Sequence, residues 1–179
     1  MRNKIAIVVT LLFFATAAVA QIPTTGNVFL GYAYNRGSAG FTTSGNMNGW
    51  EGSLEGKIFP HIALVADYSD TTGTLSPSAH PMDIRFRVQS FLFGPRVYLS
   101  VGRFRPFAHV LIGASRMHQY GTYLGITHDT SYANAIGGGV DWRLIPHVAL
   151  RVQGDALRTS FTSDHQNDFR FATGPVIRF

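Results

Sequence analysis

Along much of this 179-residue chain, side-chain character changes at every second position. Trp50, Leu54 and Ile58 alternate with Glu51, Ser53, Glu55 and Lys57; Ile62, Leu64, Ala66 and Tyr68 with Ala63, Val65, Asp67 and Ser69; Val148, Leu150 and Val152 with Arg151, Gln153 and Asp155. Successive side chains of a strand point to opposite faces, so this period builds a sheet with one apolar and one polar face. Beyond residue 26 no stretch carries helical periodicity, while aromatic and β-branched residues are frequent. The chain is all-β.

Eight strands are predicted near 27–36, 47–59, 61–71, 83–99, 106–119, 131–145, 147–160 and 168–179. The segment 84–99 breaks the pattern. Phe91, Phe93, Val97 and Leu99 line up, whereas Ile84, Phe86 and Val88 have the opposite parity. This predicts a bulge near Gln89 and Ser90, or a strand whose upper part leaves the membrane. Connections at 59–61, 100–105 and 145–147 are short; those at 37–46, 72–82 and 120–130 are longer and rich in Gly, Ser, Thr and Asn, with 161–167 a shorter member of the same set. Alternating short turns and long loops form the meander of a transmembrane barrel. Pro60-His61-Ile62-Ala63-Leu64 recurs as Pro146-His147-Val148-Ala149-Leu150, and Phe93-Gly94-Pro95 as Thr173-Gly174-Pro175, each at the same end of a hairpin.

Alternation alone would also suit a soluble sandwich, so the destination of the charges decides the reading. The polar face carries Glu51, Glu55, Lys57, Asp67, Asp141, Arg143, Arg151, Asp155, Arg170 and Arg178, five of each sign. Buried charges are tolerable only when paired, and a balanced set inside a narrow lumen meets that condition. Eight strands enclose room for side chains and little else. The expected fold is an eight-stranded antiparallel up-and-down transmembrane β-barrel, apolar outside and charged inside. Two aromatic girdles fit this orientation: Tyr34, Trp50, Tyr68 and Tyr132 toward the long loops, and Trp142, Phe107 and Phe179 toward the short turns.

The front of the chain is organised differently. Arg2 and Lys4 precede an apolar run from Ile5 to Phe14, and Ala18-Val19-Ala20 supplies a small-x-small cleavage pattern before Gln21. Residues 1–20 are therefore expected to be a secretory signal peptide, cleaved after Sec export, with the barrel domain occupying 21–179. Removing Arg2 and Lys4 leaves 13 Lys+Arg against 10 Asp+Glu, scattered singly rather than in a stripe, so nucleic acid is not an expected partner. The absence of cysteine excludes disulfides, a thiol nucleophile and a lipidated N-terminal cysteine.

The last seven residues, Thr173-Gly174-Pro175-Val176-Ile177-Arg178-Phe179, resemble the C-terminal signal of Gram-negative outer-membrane barrels: polar, Gly, two variable, apolar, variable, terminal aromatic. The layout as a whole is similar to the small eight-stranded outer-membrane barrels of the OmpA and OmpX type. The resemblance implies an outer-membrane location and recognition by the barrel-assembly machinery through Gly174, Ile177 and Phe179. It implies lipid as surroundings, with lipopolysaccharide as a candidate contact, and a monomer. No periplasmic domain is expected after the last strand. Pro175 departs from the pattern; without an N–H it should cause a bulge or a missing hydrogen bond beside the first strand.

Chemistry is sparse. His61 and His147 fall in short turns, and His80, His118, His128 and His165 toward the long loops, with no ligand spacing, so no metal or other cofactor is expected. Some barrels of this class are lipid A deacylases with a His and a Ser two apart on one strand. Here His128 and Ser131 are three apart, on opposite faces, and no catalytic residue is assigned. Arg85, Arg87, Arg116 and Arg158 lie near the outer rim, as solvated charges or as contacts for lipopolysaccharide phosphates. The expected function is structural or surface-interactive, without a large pore. A small porin-like channel and a surface acyl hydrolase are the alternatives.

Overall fold

The alternating segments form eight strands: β1 Gly26–Gly37, β2 Gly45–Phe59, β3 Ile62–Leu75, β4 Ile84–Tyr98, β5 Phe104–Tyr120, β6 Thr127–Ile145, β7 Val148–Thr159 and β8 Gln166–Arg178. They are seen in a computed structural model that describes residues 25–37, 45–75, 84–120, 127–159 and 166–179. The predicted signal segment lies outside these residues. Each strand pairs antiparallel with its neighbour in sequence, and β8 pairs with β1, so the sheet closes into a barrel. At the seam Gly26 and Phe179 exchange both backbone hydrogen bonds, at 2.9 and 3.0 Å. Closure removes the free edge that would otherwise recruit another strand.

The expected bulge in β4 is absent. β3 and β4 keep one register from Ile62 opposite Val97 to Leu75 opposite Ile84. Burial alternates without a break from Arg85 to Leu99, so Phe86 and Val88 simply face the interior. The apparent slip arose from apolar side chains on both faces of one strand. Register shifts occur instead between Lys57 and Phe59 and between Arg143 and Ile145, each just before a two-residue Pro-His turn.

The sequence echo is a structural repeat of four strands. His61 Nδ1 lies 3.2 Å from the Tyr98 carbonyl, and His147 Nδ1 3.3 Å from that of Arg178. Leu64 opposes Pro95 as Leu150 opposes Pro175. Both prolines interrupt the ladder toward the next strand. Pairing of β8 with β1 skips from Val176 opposite Phe29 to Thr173 opposite Tyr32, and pairing of β4 with β5 skips from Phe93 opposite Ile112 to Arg96 opposite His109. The register is unchanged across each gap, so Pro175 produces lost hydrogen bonds without a bulge.

The β4–β5 turn is a two-residue hairpin in which Val101 and Phe104 exchange hydrogen bonds around Gly102-Arg103. Gly102 has φ 61° and no neighbour within 4 Å of where a Cβ would stand. Gly102→Ala is expected to cost about 1 kcal/mol of folding stability, the left-handed penalty of an L-residue alone. Urea titration of the refolded barrel checks this, and an unchanged midpoint would contradict it.

Candidate functional site

The polar face of the sheet builds a buried ionic core of two connected sets. In the upper set Arg170 bridges three carboxylates: Asp155 at 2.7 Å, Asp67 at 2.8 Å and Glu51 at 3.2 Å. Gln153 donates to Glu51, and Ser69 Oγ accepts from Arg170 at 3.1 Å. In the lower set Glu55 accepts from Arg96 at 2.9 Å and Arg105 at 2.6 Å, while Asp141 pairs with Arg151 at 2.7 Å and Arg178 at 3.4 Å. Lower aromatic rings pack on these cations. Arg96 lies 4.2 Å and Arg151 4.8 Å from the Phe107 centroid, and Arg105 lies 3.5 Å from that of Tyr98.

The two sets have opposite imbalances. Three carboxylates face one guanidinium above, and four guanidiniums face two carboxylates below, so neither is neutral without the other. His109 joins them. Its Nε2 stands 2.8 Å from Asp155 Oδ1 and its Nδ1 3.0 Å from Arg96 Nη2. The guanidinium can only donate, so Nδ1 accepts and Nε2–H donates, which is the neutral Nε2–H tautomer. Gly137 makes room for this junction, since a Cβ there would collide with Asp155.

Eight of the ten residues read as lumen charges take part in these contacts: Glu51, Glu55, Asp67, Asp141, Arg151, Asp155, Arg170 and, at the lower margin, Arg178. Lys57 and Arg143 do not belong. Both are exposed beside the register shifts at the short-turn end, and Arg143 donates to the Gly102 carbonyl at 3.2 Å. Arg96 and Arg105 replace them, so the ionic core still holds five acids and five bases. The sequence reading missed both arginines and His109. The signal was available as parity, since Arg96 shares its face with Leu92, and Arg105 and His109 share theirs with Leu111 and Ser115.

Above the ions, Met47, Phe86, Val88 and Met117 form a buried apolar cluster, and Val65, Leu92, Leu111, Ala133, Ala135 and Leu157 form another along one inner wall. Phe107 is also interior, stacked 5.8 Å from His109, which corrects its placement in the lower girdle. Phe104 stands on the outer face instead, with its ring 6.3 Å from Trp142.

The outer wall is a continuous apolar belt that includes Leu30, Leu54, Phe93, Val110, Ile136 and Val152, all exposed. Ile177 and Phe179 of the C-terminal motif point outward within it, and Gly174 packs against the Leu30–Gly31 backbone. Toward the end carrying the longer connections, Arg85, Arg87, Arg116 and Arg158 are exposed on the same face. Arg87 is held by Asp70 through bonds of 2.5 and 2.9 Å, and Gln89 donates to Asp70 at 3.2 Å.

Ser131 is interior, its hydroxyl donating to the Tyr132 carbonyl at 3.1 Å, and so it does not open on the outer face where the hydrolase alternative places a nucleophile. The side chain of His128, and His80 and His165 altogether, lie outside the described residues. Among the described residues no group of three His, Asp or Glu side chains is arranged to hold a metal.

Neither family models nor curated proteins give a match to this chain. Solved structures do. Neisserial surface protein A superposes with a TM-score of 0.70 at 14% identity, covering 86% of this chain and 97% of that one. Ail, the attachment invasion locus protein of Yersinia pestis, gives 0.66 at 15% identity over 88% and 99%. A second Ail structure, in complex with the heparin analogue sucrose octasulfate, gives 0.63 at 14% identity over 87% and 98%. The chain has the fold of the small eight-stranded outer-membrane barrels.

Proposed function

We propose that this protein is an integral outer-membrane barrel with a structural or surface-interaction role, neither a transport channel nor an enzyme. The observation that carries the reading is an exposed apolar belt that surrounds a lumen filled with paired charges. Soluble monomers rarely expose apolar patches beyond a few hundred Å², whereas a bilayer requires such a surface. Among the described residues, the buried ions and the apolar cluster above them fill the lumen with side chains, which supports a barrel without a wide path for solutes. The exported form begins near Gln21 on this reading, the Gly174, Ile177 and Phe179 motif addresses the assembly machinery, and the barrel is a monomer.

The finer proposal concerns the basic outer rim. Arg85, Arg87, Arg116 and Arg158 are exposed on the outer face toward the end with the longer connections, which supports contact with lipopolysaccharide phosphates. Ail, which shares the fold, has been crystallised with a polyanion. Arginine suits phosphate through its planar set of donors.

Fractionation tests the central reading. The protein is expected in the outer membrane, migrating faster on gels unheated than boiled; recovery as a soluble periplasmic species would overturn it. In planar bilayers no large steady conductance is expected, and a sustained open level would restore the channel alternative.

A further inference from the structure

The outer belt is not evenly convex. Between β1 and β4, Gly52 and Ala66 put almost nothing on the surface, while Leu54, Tyr68, Phe91 and Phe93 rise around them. Two hollows of about 380 and 230 Å³ result, and they share Leu54 and Ala66 as common walls. They follow the strands from Gly52 toward Gly56, a distance of about 13 Å at the usual rise per residue. A chain of polar groups starts where the upper hollow ends. Tyr68 Oη accepts from Gln89 at 2.9 Å, Gln89 reaches Asp70, and Asp70 fixes the half-exposed Arg87 guanidinium. Register pairing places Arg116 opposite Gln89.

We propose that this groove seats one acyl chain of an anionic lipid whose phosphate is held by Arg87 and Arg116. The inference rests on the membrane reading above and adds a specific lipid seat to it. Three features favour a lipid over a second copy of the barrel. The groove runs along the strands, as acyl chains run between leaflet surface and midplane. Its relief is set by single side chains, Leu54, Tyr68, Phe91 and Phe93 standing over Gly52 and Ala66, which suits a hydrocarbon chain better than the convex wall of another barrel. Its polar end carries an excess of guanidinium over carboxylate, complementary to a phosphate.

Trp50 reports on the site, because its ring lies 5.3 Å from that of Tyr68 at the upper end of the groove. The chain has two tryptophans, so Trp142→Phe leaves Trp50 as the single emitter. The protein is refolded into phosphatidylcholine vesicles containing a small fraction of phosphatidylglycerol with brominated acyl chains. Quenching of Trp50 is expected to match a local enrichment of about tenfold over the bulk fraction, the worth of one charge-assisted hydrogen bond. Gly52→Leu fills the groove and should return quenching to the bulk level. A Cβ there meets no atom closer than 3.5 Å, the nearest being Trp50 Cζ3, so quenching by brominated phosphatidylcholine in the same variant supplies the bulk level. Arg87→Gln with Arg116→Gln should abolish the preference for brominated phosphatidylglycerol over brominated phosphatidylcholine. Bulk-level quenching in the parent, or enrichment that survives Gly52→Leu, would overturn the seat. Cross-linked dimers lost on Gly52→Leu would make the occupant a second copy and also overturn it. If the arginine pair alone matters, the rim reading stands and the groove falls. If brominated phosphatidylcholine as the sole lipid fails to quench Trp50, the membrane reading itself fails.

Discussion

Arg170→Ala is expected to destabilise the inserted barrel by about 3–5 kcal/mol, the usual cost of stranding buried charges. One guanidinium serves Glu51, Asp67 and Asp155, and its removal leaves three carboxylates inside the wall with neutral donors such as His109, Gln153 and Ser69 nearby. Arg170→Lys should recover part of the loss, because an ammonium keeps the charge but cannot span three partners with a planar fork. Arg170→Met combined with Glu51→Gln, Asp67→Asn and Asp155→Asn should recover most of it, since the uncompensated charges go together. Urea titration in lipid vesicles, followed by the mobility difference between folded and unfolded bands, supplies the measurement. A loss below about 1 kcal/mol would assign these groups the energetics of exposed pairs.

The second large effect lies on the opposite face. Ile136 is 62% exposed at the middle of β6, so Ile136→Arg places a cation against hydrocarbon and is expected to cost about 2–4 kcal/mol in a bilayer. Thr130→Arg, on the same face near the outer end of β6, is expected to cost about 0–1 kcal/mol because the penalty falls toward the interface. Equal costs at the two positions would mean that β6 does not cross the membrane along its length.

Much of this architecture was legible because burial on only one face leaves a period of two. Strand β7 shows it best, with Arg151, Gln153 and Asp155 inward and Leu150, Val152 and Ala156 outward. Strand β4 was misread because its inner face changes chemistry along its length, apolar at Phe86 and Val88 and charged at Arg96. Hydropathy sees the residue type; parity sees the face. The same confusion put Phe107 on the outer girdle, although it shares parity with His109 and Leu111. Lys57 and Arg143 have nominally inward parity, but each precedes a register shift beside a short turn, and both side chains are exposed there. Pairing partners were not legible. That Arg170 of β8 meets Asp67 of β3 follows from closure of the barrel across its interior, which no local pattern encodes.

The central claim, charge inside and apolar side chains toward lipid, is tested most directly by a single-cysteine spin-label scan of β7 in bilayers, clean in a chain without cysteine. Labels at Leu150, Val152 and Ala156 are predicted to be accessible to membrane-dissolved oxygen, and those at Gln153 and Leu157 shielded from it, with a period of two. Oxygen access at Gln153 and Leu157, or no alternation at all, would contradict the account.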